Sequence, residues 1–144
     1  MSGPWRALVE GVYALVEWRD GDVVQAPPQV EGRFILKDGL IVTILSNLAA
    51  PGGGISVTQY GRFTLDDDRF EYGYDRVANF QHTREGIVAL PMLAPGWRGF
   101  AVSILPDTVE LATDAAAFVF TPAGMTYSEQ GICLRRWQRL RSAT

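Results

Sequence analysis

Apolar residues along this chain fall in short runs, and in several of them every second position is polar or small. The clearest is Phe70-Glu71-Tyr72-Gly73-Tyr74-Asp75, where aromatics alternate with acidic residues and glycine. A side-chain period of two is that of a β-strand with one face buried. Turn-forming residues divide the runs: Asp20-Gly21, Asp38-Gly39, Asp66-Asp67-Asp68, Pro106-Asp107 and Pro122-Ala123-Gly124. That rhythm predicts successive hairpins. Strands are expected over 32–37, 40–45, 62–65, 69–75, 86–92, 99–105, 108–112, 118–121, 125–128 and 132–140. Residues 47–54, which hold Pro51-Gly52-Gly53-Gly54, read as a flexible loop.

The N-terminus carries two patterns. Trp5, Leu8, Val9, Val12, Leu15 and Val16 repeat at helical spacing, but Gly11 sits among them. A glycine inside a helix costs about 1 kcal/mol relative to alanine. A short helix or extended segment to Glu10 is therefore expected, followed by a strand from Val12 to Trp18. The sum is one domain over 1–144 with about eight to ten short strands and almost no helix. Such a meander loses its exposed edges by closing into an antiparallel up-and-down β-barrel. At about eight strands the interior is just wide enough for side chains or one small ligand. A two-sheet sandwich is the competing architecture.

Composition narrows the chemistry. Cys133 is the only cysteine and His82 the only histidine. An internal disulfide, a cysteine metal cluster and a multi-histidine metal site are thereby excluded within one chain. Any nucleophilic triad would have to use His82. Asp66-Asp67-Asp68 lacks the ligand order of a calcium loop and reads as a hairpin turn. Gly52-Gly53-Gly54 lacks the lysine and helix context of a phosphate loop. Cys133 has no activating base nearby in sequence and reads as packing. No cofactor or metal is expected.

The net charge is −3, and the only cationic cluster is Arg135, Arg136, Arg139 and Arg141. That is too few charges for a nucleic-acid partner. The cluster reads as a strand with arginines on its solvent face, anion binding being the alternative. No apolar run approaches the roughly 20 residues that span a bilayer. Met1 to Glu10 has no sustained apolar core of a secretory signal. A cytoplasmic protein without a membrane partner is the expectation.

Four segments resemble, in order, the bacterial lipocalin-like domain family, small members of the calycin barrels. Gly11-Val12-Tyr13-Ala14-Leu15-Val16 is similar to the family's opening Gly-x-Trp-x-Leu-Val, with Tyr13 where Trp is usual. Gly32-Arg33-Phe34-Ile35 with Asp38-Gly39 resembles its second hairpin, and Phe70-Glu71-Tyr72-Gly73-Tyr74 its tyrosine-rich strand. Leu134-Arg135-Arg136-Trp137-Gln138-Arg139 resembles its closing Trp-x-Arg strand. The resemblance implies a ligand cavity and an arginine, Arg139, lying over Tyr13 to close one end of the barrel. It implies no uniform activity.

The candidate site residues follow from these placements. His82 shares strand parity with Phe80 and is a candidate general base or ligand-orienting donor, or else an ordinary histidine. Tyr72 and Tyr74, if inward, are candidate proton donors in an apolar pocket, or else core filler. Trp97 and Arg98, between Gly96 and Gly99, are candidates for a gate at the barrel mouth. Arg33, if inward, would need a partner or an anionic ligand. Phe70, Phe100 and Trp137 are candidate apolar contacts for the ligand.

The leading expectation is a module that binds one small apolar or aromatic molecule. The alternative is a cofactor-free enzyme (isomerase, cyclase or hydratase/lyase), which needs His82 to converge with a tyrosine on one bound atom. A third reading is a homodimer joined through exposed Trp5 and Trp18.

Overall fold

The hairpin rhythm is realised in the computed structural model, which describes residues 4–48, 53–90 and 96–140. A short helix α1 (Arg6–Val9) precedes β1 (Gly11–Asp20). Then come β2 (Val23–Gln25), β3 (Val30–Lys37), β4 (Leu40–Asn47), β5 (Gly54–Leu65) and β6 (Arg69–Thr83). The remainder is β7 (Gly86–Leu90), β8 (Arg98–Leu105), β9 (Thr108–Ala112), β10 (Ala116–Phe120), β11 (Gly124–Glu129) and β12 (Ile132–Arg139).

Ten of these strands form one closed antiparallel barrel. Each of β1, β3, β4, β5, β6, β8, β9, β10, β11 and β12 pairs with the next, and β12 returns to β1. The ring is a pure meander, so the sandwich does not occur. Strand β2 adds to one end of β1, and β7 adds to β6 outside the ring. The tight turn between β3 and β4 places Asp38 at φ 50° and Gly39 at φ 81°, the left-handed geometry of an Asp-Gly hairpin. No helix among the described residues is long and apolar enough to cross a membrane.

Three departures from the expected strands have physical causes. First, β5 and β6 have 12 and 15 residues and outrun the expected 62–65 and 69–75. Their added halves carry no clean aromatic alternation. Second, the expected loop 47–54 contributes Asn47 to β4 and Gly54 to β5, while 49–52 lie outside the described residues. Pro91, Met92 and Arg141 also lie outside them. Third, the ladder slips by one residue at Leu15/Glu17, Tyr60/Gly61 and Tyr127/Ser128. A one-residue bulge sends every later side chain of that strand to the opposite face.

The bulge in β6 shows this directly. Tyr74 stands opposite Gly61, and Arg76 stands opposite Tyr60, so Asp75 is the extra residue. Before it, Phe70 and Tyr72 are buried; after it, Arg76, Ala78 and Phe80 are exposed. Gly61 permits the strands to close here, because a Cβ at this position would run into the Gly73 carbonyl oxygen. The barrel centre is filled by an aromatic layer. Phe70 packs on Phe63 and Phe100 at ring distances of 5.8 and 6.0 Å, and Phe100 packs on Phe118 at 5.3 Å. Such pairs each contribute about 0.5–1.5 kcal/mol beyond the area they bury.

Candidate functional site at the open end of the barrel

One end of the barrel is sealed. Val9 of α1 and Tyr13 of β1 are fully buried there. The Arg139 guanidinium lies over the Tyr13 ring, 4.9 Å from its centre. Its N–H groups donate to the carbonyls of Leu8, Glu10 (3.3 Å), Thr121 (3.1 Å) and Ala7 (3.4 Å). The Tyr13 hydroxyl donates to the Val9 carbonyl at 2.7 Å. Burial pushes this phenol up to about 12, against the opposing effect of Arg139.

The other end holds a cavity of about 280 Å³. Its apolar wall is Phe34, Ile41, Leu45, Phe118, Met125 and Trp137. Its polar groups are Thr43, Gln59, Tyr72, Tyr74, Tyr127 and, at the rim, Arg98, Glu129 and Arg135. Strand alternation accounts for the set: Ile41, Thr43 and Leu45 are successive inward positions of β4, and Met125, Tyr127 and Glu129 of β11. A larger depression of about 710 Å³ is walled by β11, β12 and Val16 of β1, with the turn at Pro122. Its polar residues are Thr121, Thr126, Arg136, Gln138 and Arg139, and none of the tyrosine hydroxyls lines it.

Inside the cavity the hydroxyls are paired. Thr43 Oγ1 and the Tyr74 hydroxyl are 2.8 Å apart. Arg98 Nη1 donates to the Tyr72 hydroxyl at 3.0 Å, and its guanidinium stands 5.3 Å from the centre of the Phe100 ring. The Tyr127 hydroxyl donates to Glu129 Oε2 at 2.5 Å. Arg135 lies 4.1 Å from the centre of the Trp18 ring. The bulge in β1 is what turns Trp18 to this side, opposite Arg135 in the ladder. Burial pushes Tyr74 up to about 12, and burial with the Glu129 contact does the same for Tyr127. Burial raises Tyr72 as well, with Arg98 opposing. All three tyrosines are therefore neutral donors or acceptors near pH 7.

Of the residues singled out from sequence, Tyr72, Tyr74, Arg98 and Trp137 line this cavity. Phe70 and Phe100 do not; both are buried in the aromatic layer against which Tyr72 rests. Tyr13 and Arg139 meet at the sealed end. Three placements correct the expectations. Arg33 is exposed, because its neighbours Gly32 and Phe34 take the inward positions of β3, and it donates to the Gly32 carbonyl. Trp97 is half exposed on the outer surface, where it covers Gly73 and stands 5.6 Å from Arg62. His82 lies beyond the β6 bulge, outside this lining, with Nε2 2.8 Å from Ser56 Oγ. The expected convergence of His82 with the tyrosines does not occur.

Two broader expectations also shift. The arginines of β12 do not share a solvent face, since Arg136 is exposed while Arg135 and Arg139 face inward at opposite ends. Trp5 and Trp18 are not exposed platforms; both pack partly buried against the core. Sequence reasoning missed Thr43, Gln59, Tyr127 and Glu129. The alternation Met125-Thr126-Tyr127-Ser128-Glu129 was the available signal for two of them. No group of three metal-ligating side chains occurs among the described residues. No protein-family model, curated protein or solved structure matches the chain, so the site is read from its own geometry.

Proposed function

We propose that this barrel is a binding module that holds one small apolar or aromatic molecule in the cavity at its open end. The observation that carries the proposal is the cavity wall itself: six apolar side chains face a handful of converging hydroxyl and guanidinium groups. That combination is the usual make-up of a small-molecule site. Its volume, about 280 Å³, sits near the lower end of the roughly 300–1,000 Å³ range of such sites, so the ligand is small. The enzyme alternative is less well supported, because His82, the base it needs, lies outside the lining and the lining's carboxylate, Glu129, is engaged by Tyr127. The tyrosines that remain are poor bases and poor acids near pH 7 with their phenols raised.

Trp137 in the wall makes the test direct. Native mass spectrometry of the protein from its own host should retain a small bound compound, and a neutral apolar dye such as Nile red should be displaced by it. A protein that carries no compound and takes up no dye would overturn the proposal.

A further inference from the structure

We infer that the ligand is a small monocarboxylic acid, its carboxylate held by Arg98 and Arg135 and its apolar body lying on the Phe118 and Trp137 wall. This rests on the reading of the cavity as a binding site and names the chemistry of what fills it. The first support is a mismatch of charge. The lining holds two guanidinium groups, Arg98 and Arg135, and one carboxylate, Glu129. Glu129 is engaged by the Tyr127 hydroxyl. Among the described residues, ion pairs join Arg62 to Asp75 and Arg69 to Glu71, and neither Arg98 nor Arg135 takes part in one. Asp20 and Glu129 lie near enough to Arg135 to act on it electrostatically without contact.

The second support is where the donors lead. Arg98 engages the hydroxyls of Tyr72 and Tyr127, and Arg135 stands 4.1 Å from the centre of the Trp18 ring. A guanidinium carries five N–H donors in a planar fork, which suits a carboxylate. Aromatic faces hold the two forks in place without consuming those donors. The Tyr72 hydroxyl accepts from Arg98, which leaves its own proton free to donate to a ligand oxygen. Glu129 at the same rim repels a second negative charge, and the apolar wall gives a purely inorganic anion nothing to rest on. What fits both halves is a single carboxylate on an aromatic or alkyl body.

The test compares phenylacetate, 4-phenylbutyrate, 1-naphthoate and octanoate with their own primary amides, by titration calorimetry at pH 7 and low salt. Amide and acid share the apolar body and differ in charge. The best acid should bind on the order of tenfold or more tightly than its amide, since charge-assisted hydrogen bonds are the stronger ones. Arg98→Gln and Arg135→Gln should each weaken the acid several-fold more than its amide and so narrow the gap between the two, with near-ultraviolet circular dichroism confirming the fold. Should either variant fail to fold, the acid–amide pair on the wild-type protein decides alone. Equal affinity of acid and amide would overturn the anion while leaving the cavity reading intact. Failure of every acid and every amide to bind would overturn both.

Discussion

At the sealed end of the barrel Arg139 lies over Tyr13, and at the open end Arg135 lies over Trp18, at comparable ring distances of 4.9 and 4.1 Å. Both arginines come from β12, and each faces the interior. They differ in where their N–H groups go. Arg139 donates to four backbone carbonyls of the chain before β1 and of the β10–β11 turn. Among the described residues Arg135 and Arg98 donate to no such set of carbonyls; Arg98 instead engages the hydroxyls of Tyr72 and Tyr127. Stacking on an aromatic ring is thus no guide to role. A guanidinium whose donors end on the protein's own carbonyls is a fastener, and one whose donors are left over is free for a visitor.

The most severe way to break that contrast is to remove each arginine in turn. Arg139→Ala should cost roughly 3 kcal/mol of stability, because it strips charged hydrogen bonds from carbonyls that become orphaned. Arg135→Ala should cost less than about 1 kcal/mol, the worth of its cation–aromatic contact. Urea unfolding followed by tryptophan fluorescence measures both, and equal losses would erase the distinction.

Alkaline pH probes what the ends share. Tyr13 and Tyr74 are each pushed up to about 12, while a phenol in the unfolded chain titrates near 10. As pH rises past 10 the unfolded chain gives up these protons first. Their contribution is therefore whole below about pH 10 and lost as pH climbs towards 12. Unfolding free energies from urea titrations at pH 8 and pH 11 should differ by about 1 kcal/mol for each tyrosine, and Tyr13→Phe or Tyr74→Phe should remove its own share. A stability flat from pH 8 to 11 would contradict the burial of both hydroxyls.

At pH 7 the hydroxyls separate the ends again. Tyr13→Phe leaves the buried Val9 carbonyl without its 2.7 Å donor and should cost about 1 kcal/mol. Tyr72→Phe only removes an acceptor from a rim arginine and should stay within about 0.5 kcal/mol. The smallest effect belongs to His82→Ala. It should leave carboxylate binding unchanged and alter stability by less than about 1 kcal/mol, because His82 bonds Ser56 away from the cavity. Weakened binding in that variant would restore the histidine to the site.

The sequence was readable wherever strand period and turn chemistry acted alone. The Asp38-Gly39 hairpin, the alternation from Phe70 to Tyr74 and the run of hairpins after Gly99 needed only local rules, and together they specify a meander that closes. What was hidden is the parity beyond each bulge. Trp18 and His82 each lie past a one-residue slip, and counting by twos assigns them a face that the slip reverses. The arginines of β12 do alternate, Arg135 and Arg139 facing inward as Trp137 does and Arg136 facing outward, which reading them as one solvent-facing cluster passed over. Arg33 faces outward for another reason: Gly32 and Phe34 hold the inward positions of β3 on either side of it. The cavity gathers side chains from eight strands, an arrangement that exists only after closure and that no window of sequence displays.

Closure itself has a consequence for how the chain is made. The last seam of the barrel joins Tyr13 to Arg139, which β1 and β12 bring opposite each other. During synthesis every ring strand through β11 can add to the ring strand before it as it leaves the ribosome, yet the far edge of β1 must wait, unpaired, until β12 arrives. For that interval the nascent sheet has two bare edges, the kind of surface that recruits the wrong strand. The carbonyls that Arg139 later gathers stay unserved for just as long, so a chain stalled before β12 is the form most in need of a chaperone.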